Sequence, residues 1–249
     1  MRATALFLFA STLVAQDPGR GVNFYSIEKE RALGAQIAQD FRRTSTIVEA
    51  PELLARIEAI ARPLIPAESK FEYSFALFDS SEYVLHEPVA LPGGFIFVST
   101  GLIRAAQHTD ELAGMLAHSI AHIEARHGTK QATKGQIVSQ ATIPLIYMGG
   151  WTGYARQQNA TLAVPTGFQE FVRQNELAAD QLAAGMMQSH GYSPERLAAY
   201  IERLQPGSPR AEALRDFPAL NTPNTIQELH RLLPAPPPIK AKNPPRLAR

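Results

Sequence analysis

Two histidines four positions apart, His118 and His122 in "LAGMLAHSIAHIEARHG", are the residues most able to do chemistry in this chain. Side chains at i and i+4 share a helix face, with Cβ atoms about 5 to 6 Å apart, so both imidazoles can turn toward one metal ion. A zinc site of the hydrolytic kind needs a third protein ligand and keeps a fourth position for water. The stretch "RQNELAADQLAAG" offers two carboxylates, Glu176 and Asp180, also four apart. One of them can bind the metal while the other orients a histidine through its second ring nitrogen. Alone, that acidic pair would read as a solvated helix face; the histidines give it a second use. Ser119, between the histidines, carries a hydroxyl that cannot take up a proton at neutral pH.

These residues must be held by regular elements, and the apolar spacing shows which. Residues 26–47 predict a helix with Leu33, Ile37 and Phe41 four apart, and a second follows Pro51 with Leu54, Ile57, Ile60 and Leu64 on one stripe. "FEYSFALF" alternates Phe71, Tyr73, Phe75 and Leu77 as a strand would. "ALPGGFIFVST" then runs from a Pro-Gly-Gly turn into a second β-prone segment, Phe95 to Ser99. Thr109-Asp110 can cap the histidine helix, whose apolar positions Leu112, Leu116, Ile120 and Ile123 recur until Gly128, the expected stop. The apolar stretch 137–151 is broken by Pro144 and Gly149-Gly150, too short to span a bilayer, and is expected to be a buried helix and turn. Residues 166–190 predict the acidic helix, with Phe171, Ala178, Leu182 and Met186 on one side and Gly191 as its stop. Ser193-Pro194-Glu195 starts another, with Leu197, Ile201 and Leu204 inward and Pro206-Gly207 after it; a last short helix follows Pro223. The fold class expected is α+β, mostly helical, with a small sheet.

With 249 residues, 45% of them hydrophobic, the chain can bury a substantial core. A net charge of +1 gives no basic excess for a nucleic-acid partner, and none is expected. With no cysteine, disulfides, thiolate ligands and a lipid-modified cysteine are excluded. The start, "MRATALFLFASTLVAQDPGR", has the positive residue, short apolar run and small residue (Ala15) of a secretory leader. Residues 1–15 are therefore expected to be a signal peptide, 16–233 the folded domain, and 234–249 an extended Pro-rich basic tail. An exported protein, periplasmic or secreted, with no transmembrane span after leader removal, is the expectation.

Three ordered stretches, "ALPGGFIFVSTGLI", "ELAGMLAHSIAHIEARH" and "NELAADQLAAGMM" followed by "GYSP", make residues 25–204 resemble the zinc metallopeptidases of family 48. That family includes the CAAX prenyl proteases and bacterial periplasmic proteases with a His-Glu-x-x-His helix. The resemblance implies a zincin-like, gluzincin-type domain with a small β-sheet beside the active-site helix. It implies zinc as cofactor, His118 and His122 as its first two ligands, Glu176 as the third, and Asp180 as the acid that supports the site. His127 fits the pattern without being a ligand. A metzincin would want a third histidine six residues after His122, where Gly128 stands. The partner implied is an unfolded or extended polypeptide, taken up by β-addition on an exposed strand near Ala90 to Phe97.

The departures bear on catalysis. Where the family has the glutamate that takes a proton from the attacking water, this chain has Ser119, and a positioned base typically contributes roughly a hundredfold to ten-thousandfold. Glu124, two residues past His122, is expected to point away from the metal face. By the resemblance, the family's later His-Pro pair and arginine correspond to "NTPNTIQEL", with Thr222 before Pro223 and no arginine at the later position, and Glu87 stands where the family often has asparagine. The expectation is a zinc-binding protein of metalloendopeptidase type acting on cell-envelope proteins with impaired or lost proteolysis. The alternative is a pseudo-peptidase that binds peptides as a chaperone-like module.

Overall fold

The structure, a computed structural model, describes residues 21–80, 86–139 and 166–235. The leader expected at 1–15, the tail from 236 on, and the apolar stretch from 140 to 151 lie outside the described residues.

Helix α1 (Ile27–Thr44) begins where the Ser26 side chain accepts from the Lys29 amide, with Glu28 and Glu30 in its first turn and Arg42 and Arg43 in its last, as the helix dipole favours. Helix α2 (Pro51–Ala61) opens on a proline, which costs no hydrogen bond there, and tightens into a 3-10 turn over Arg62–Leu64. Three short strands follow: β1 (Ser74–Phe78), β2 (Val89–Leu91) and β3 (Phe95–Ser99). Their order is β1-β3-β2, with β3 parallel to β1 and antiparallel to β2.

The two-residue period sorts the side chains into two cores. Phe71, Phe75 and Leu77 join the main cluster with Leu53 and Ile57 of α2 and Leu64 of the 3-10 turn, and Tyr73 packs against it. Ala76 and Phe78, with Val89, Leu91 and Phe97, form a second cluster with Ile37 and Ala38, flanked by Leu33 and Phe41 of α1. The Phe41 ring meets Phe78 edge-on at 5.1 Å. The sheet is thus a middle layer between α1 and the remaining helices. The stretch from Ala90 to Phe97, expected as one exposed strand, is two strands and a tight turn. Its side chains are buried except for half-buried Phe95, because both sheet faces are covered. Among the described residues β2 has β3 as its only strand partner.

Helix α3 (Thr100–Ala105) leads to α4 (Thr109–Glu124), in which every residue from Thr109 to Ile123 is buried. Two expectations for α4 are corrected. Its cap is His108, whose ring accepts from the Asp110 amide at 3.2 Å, while Asp110 instead takes the Ser193 amide and the Thr222 hydroxyl. Its end is not at Gly128: the chain breaks at Arg126 (φ 56) and resumes as α5 (His127–Ser139). The break is made by tertiary partners, since Arg126 reaches back to Glu30 and the Tyr25 carbonyl.

Helices α6 (Thr166–Ser189), α7 (Pro194–Leu204), α8 (Pro209–Ala213) and α9 (Ile226–Leu232) complete the described chain. On α6 the buried positions are Ala179, Asp180, Ala183, Ala184 and Met187, whereas Ala178, Leu182 and Met186 are only half buried. The buried stripe therefore includes Asp180, with half-buried Glu176 one turn before it. No helix among the described residues is long and apolar enough to cross a membrane.

Candidate metal centre

Helix α4 is buried on all sides, so its two histidines are carried into the interior. Side-chain exposure is 4% for His118 and 9% for His122. Their Nε2 atoms face each other at 3.0 Å. From α6, the Glu176 carboxylate closes the triangle, with Oε2 3.5 Å from His118 Nε2 and Oε1 3.6 Å from His122 Nε2. One donor atom from each of the three lies within 4.8 Å of the others. Two helices packed closely through Ala179, Ala183 and Ala184 bring these i, i+4 pairs face to face.

The outer ring nitrogens are also engaged. His118 Nδ1 donates to Asp180 Oδ1 at 2.8 Å, and Asp180 is fully buried. His122 Nδ1 lies 3.1 Å from Nδ1 of His127, the first residue of α5. Burial disfavours charge on His118, but the charge and hydrogen bond of Asp180, then the Glu176 hydrogen bond, outweigh it and lift its pKa to about 10. Burial drives His127 the other way, to about 2, with His122 and Lys130 adding to the effect, so its ring stays neutral. The two rings share one hydrogen bond whose donor is set by their tautomers. Glu176 is pushed up by burial yet held well below the usual carboxylate range by the charge of His122 and by hydrogen bonds from both histidines. Asp180 is likewise kept low, against burial, by His118 and Arg210.

This donor set fits a divalent metal. Two imidazole nitrogens and one carboxylate converge, both rings are locked by partners on their far nitrogens, and the Glu176 side chain keeps 25% exposure.

Ser119 follows His118 on the same buried turn and is itself buried. Glu124 is turned away, accepting hydrogen bonds from the Tyr73 hydroxyl and from Ser69. Thr222 engages Asp110 in the first turn of α4, two turns before His118.

Sequence reasoning missed Arg210. Its Nε and Nη2 bind the two oxygens of Asp180 at 2.6 and 2.9 Å, and its Nη1 binds Glu87 at 2.8 Å and lies 3.7 Å from Glu176. The available signal was Ser208-Pro209, a cap followed by proline: the Ser208 side chain accepts from the Arg210 amide and starts α8. That signal could have found the helix, though not the destination of its arginine.

Residues 49–238 match the sequence profile of Peptidase family M48. The Beta-barrel assembly-enhancing protease of Escherichia coli (strain K12) is 24% identical over 192 residues, covering 72% of this chain and 38% of that protein. The Putative beta-barrel assembly-enhancing protease of Vibrio cholerae is 24% identical over 186 residues, with the same coverage of 72% and 38%. The Mitochondrial metalloendopeptidase OMA1 of Arabidopsis thaliana is 28% identical over 139 residues, 54% of this chain and 27% of that protein. The chain thus spans well under half the length of the curated relatives it matches.

Proposed function

The chain belongs to peptidase family M48, and from that premise we propose that it is an exported zinc-binding protein of metalloendopeptidase type whose proteolysis is impaired or lost at Ser119. The observation that carries this reading is the convergence of His118, His122 and Glu176 on one point, directly beside a serine. A zinc ion held there would supply Lewis acidity to a peptide carbonyl. His118, His122 and Glu176 are its ligands, and Asp180 keeps the His118 Nε2 lone pair aimed inward. The Ser119 hydroxyl cannot accept and return a proton at neutral pH, which removes roughly two to four powers of ten in rate. Glu124 is bound to Tyr73 and does not replace it.

The substrate or client is an extended or unfolded polypeptide. It would add as a strand to the outer edge of β2, beside α4, where main-chain hydrogen bonds are indifferent to sequence. The bacterial relatives are named for enhancing β-barrel assembly, which supports a polypeptide client, here placed in the cell envelope. The leader-like residues 1–15 agree with a periplasmic or secreted destination, residues 16–233 forming the domain and 234–249 a Pro-rich tail. Ser119 also favours a second reading, a pseudo-peptidase that holds its client as a chaperone-like module rather than cutting it.

Zinc titration of the purified chain tests the site. One equivalent should bind, raising stability by about 4 kcal/mol at a thousandfold excess over Kd, and His122→Ala should abolish both uptake and the shift. A native chain that takes up no zinc would refute the ligand assignment.

A further inference from the structure

We propose that Arg210 is a positioning residue for the metal ligands: it clamps Asp180, the carboxylate that orients His118, and ties that clamp to Glu87. The inference rests on the ligand assignment above. Asp180 Oδ1 receives both His118 Nδ1 at 2.8 Å and Arg210 Nη2 at 2.9 Å, while Oδ2 receives Arg210 Nε at 2.6 Å. A carboxylate held by one histidine can still turn about its terminal torsion, which is broad. The flat fork of a guanidinium removes that freedom, because two parallel contacts fix the carboxylate plane. His118 then inherits a fixed direction for its Nε2.

The third contact makes the clamp a joint between distant pieces of chain. Arg210 lies on α8, Asp180 on α6, and Glu87, bound at 2.8 Å, on the segment just before β2. Arg210 is 13% exposed, Glu87 18% and Asp180 fully buried. With Glu176 at 3.7 Å, one guanidinium faces three carboxylates, which without it would be like charges packed together away from water. A direct part for Arg210 in the reaction is the weaker reading. Its Nε and both terminal nitrogens are committed to carboxylates, and its approach to the two ring nitrogens of His118, 3.5 Å in each case, is long for a hydrogen bond.

The experiment is a double-mutant cycle on metal affinity in the full chain, using zinc in competition with a chelator and cobalt(II) as a spectroscopic probe of ligand geometry. Arg210→Lys keeps the charge and loses the fork. It should weaken zinc binding roughly 10- to 100-fold and alter the visible cobalt band. In an Asp180→Asn background the same substitution should cost less than about threefold more, since the residue it acts through is already gone. Arg210→Gln, which removes the fork in a shorter neutral side chain, should weaken zinc binding and alter the cobalt band in the same way, and serves if the lysine variant does not fold. Native-like zinc affinity and cobalt band in the Arg210 variant that folds, or losses that simply multiply in the double variant, would each overturn the clamp. A native chain that binds neither metal would overturn the ligand assignment itself and the clamp with it, a result distinct from the others.

Discussion

The hydroxyl of Tyr73 donates to the Glu124 carboxylate at 2.7 Å, which fixes the acid nearest in sequence to His122 against the start of the sheet. Burial, then the charge and hydrogen bond of Glu124, hold the Tyr73 hydroxyl far above its usual range, so it remains a donor at any relevant pH. Ser69 adds a second donor to the same carboxylate. Glu124 is therefore a structural anchor. Glu124→Gln should lower stability by about 1 to 3 kcal/mol in denaturant unfolding and leave zinc affinity within a few-fold of native. A large loss of zinc affinity would mean that Glu124 serves the metal site after all.

Gly34 on α1 sets how closely that helix lies on the sheet. A Cβ at this position would stand 1.6 Å from the Pro92 carbonyl oxygen and 2.7 Å from its carbon, both backbone atoms that cannot swing aside. Gly34→Ala must push α1 off the turn that joins β2 to β3, costing about 3 kcal/mol or more. Thermal melting reads this directly; an alanine variant melting with the native protein would contradict the close contact.

The joint between α4 and α5 depends on a buried ion pair. Arg126 (φ 56) sits in the left-handed region, a strained conformation for a residue with a side chain, and is held there by Glu30 at 2.7 Å and the Tyr25 carbonyl at 2.6 Å. Burial raises the Glu30 carboxyl above its ordinary range although Arg126 and Thr129 oppose the shift. An acid whose folded pKa is raised weakens the fold above that pKa and ceases to do so as pH falls through it. Arg126→Ala, which leaves Glu30 buried with its main partner gone, should cost about 3 kcal/mol at pH 7. Acidification toward pH 5 should recover part of the loss as Glu30 takes up a proton. Urea midpoints at the two pH values decide it: a loss that grows on acidification would contradict this account.

Much of the site was legible because it is local. His118 with His122, and Glu176 with Asp180, are i, i+4 pairs, and helical spacing alone puts each pair on one face. Strands β1 and β3 were legible for a similar reason, as Phe75 and Leu77 alternate with Ala76 and Phe78 to opposite cores, whereas three-residue β2 is too short to show the alternation. What escaped was set by contacts between residues far apart in sequence. Arg210 meets Asp180 across 30 residues and Glu87 across 123. The break at Arg126 depends on Glu30, 96 residues earlier, and outweighed the glycine signal two positions later. The apolar spacing of α6 marks Ala178, Leu182 and Met186, which are only half buried, whereas Asp180 is buried because His118 of α4 gives it a partner.

On the reading proposed above, the metal site is sound and Ser119 impairs or removes its proteolysis. The most direct test is cleavage of an unfolded protein by the native chain and by Ser119→Glu, each with and without a chelator. The account predicts little or no cleavage by the native chain, and chelator-sensitive cleavage by the variant faster by roughly a hundredfold to ten-thousandfold. Chelator-sensitive cleavage by the native chain at the variant's rate would contradict it, because another group would then be acting as the base.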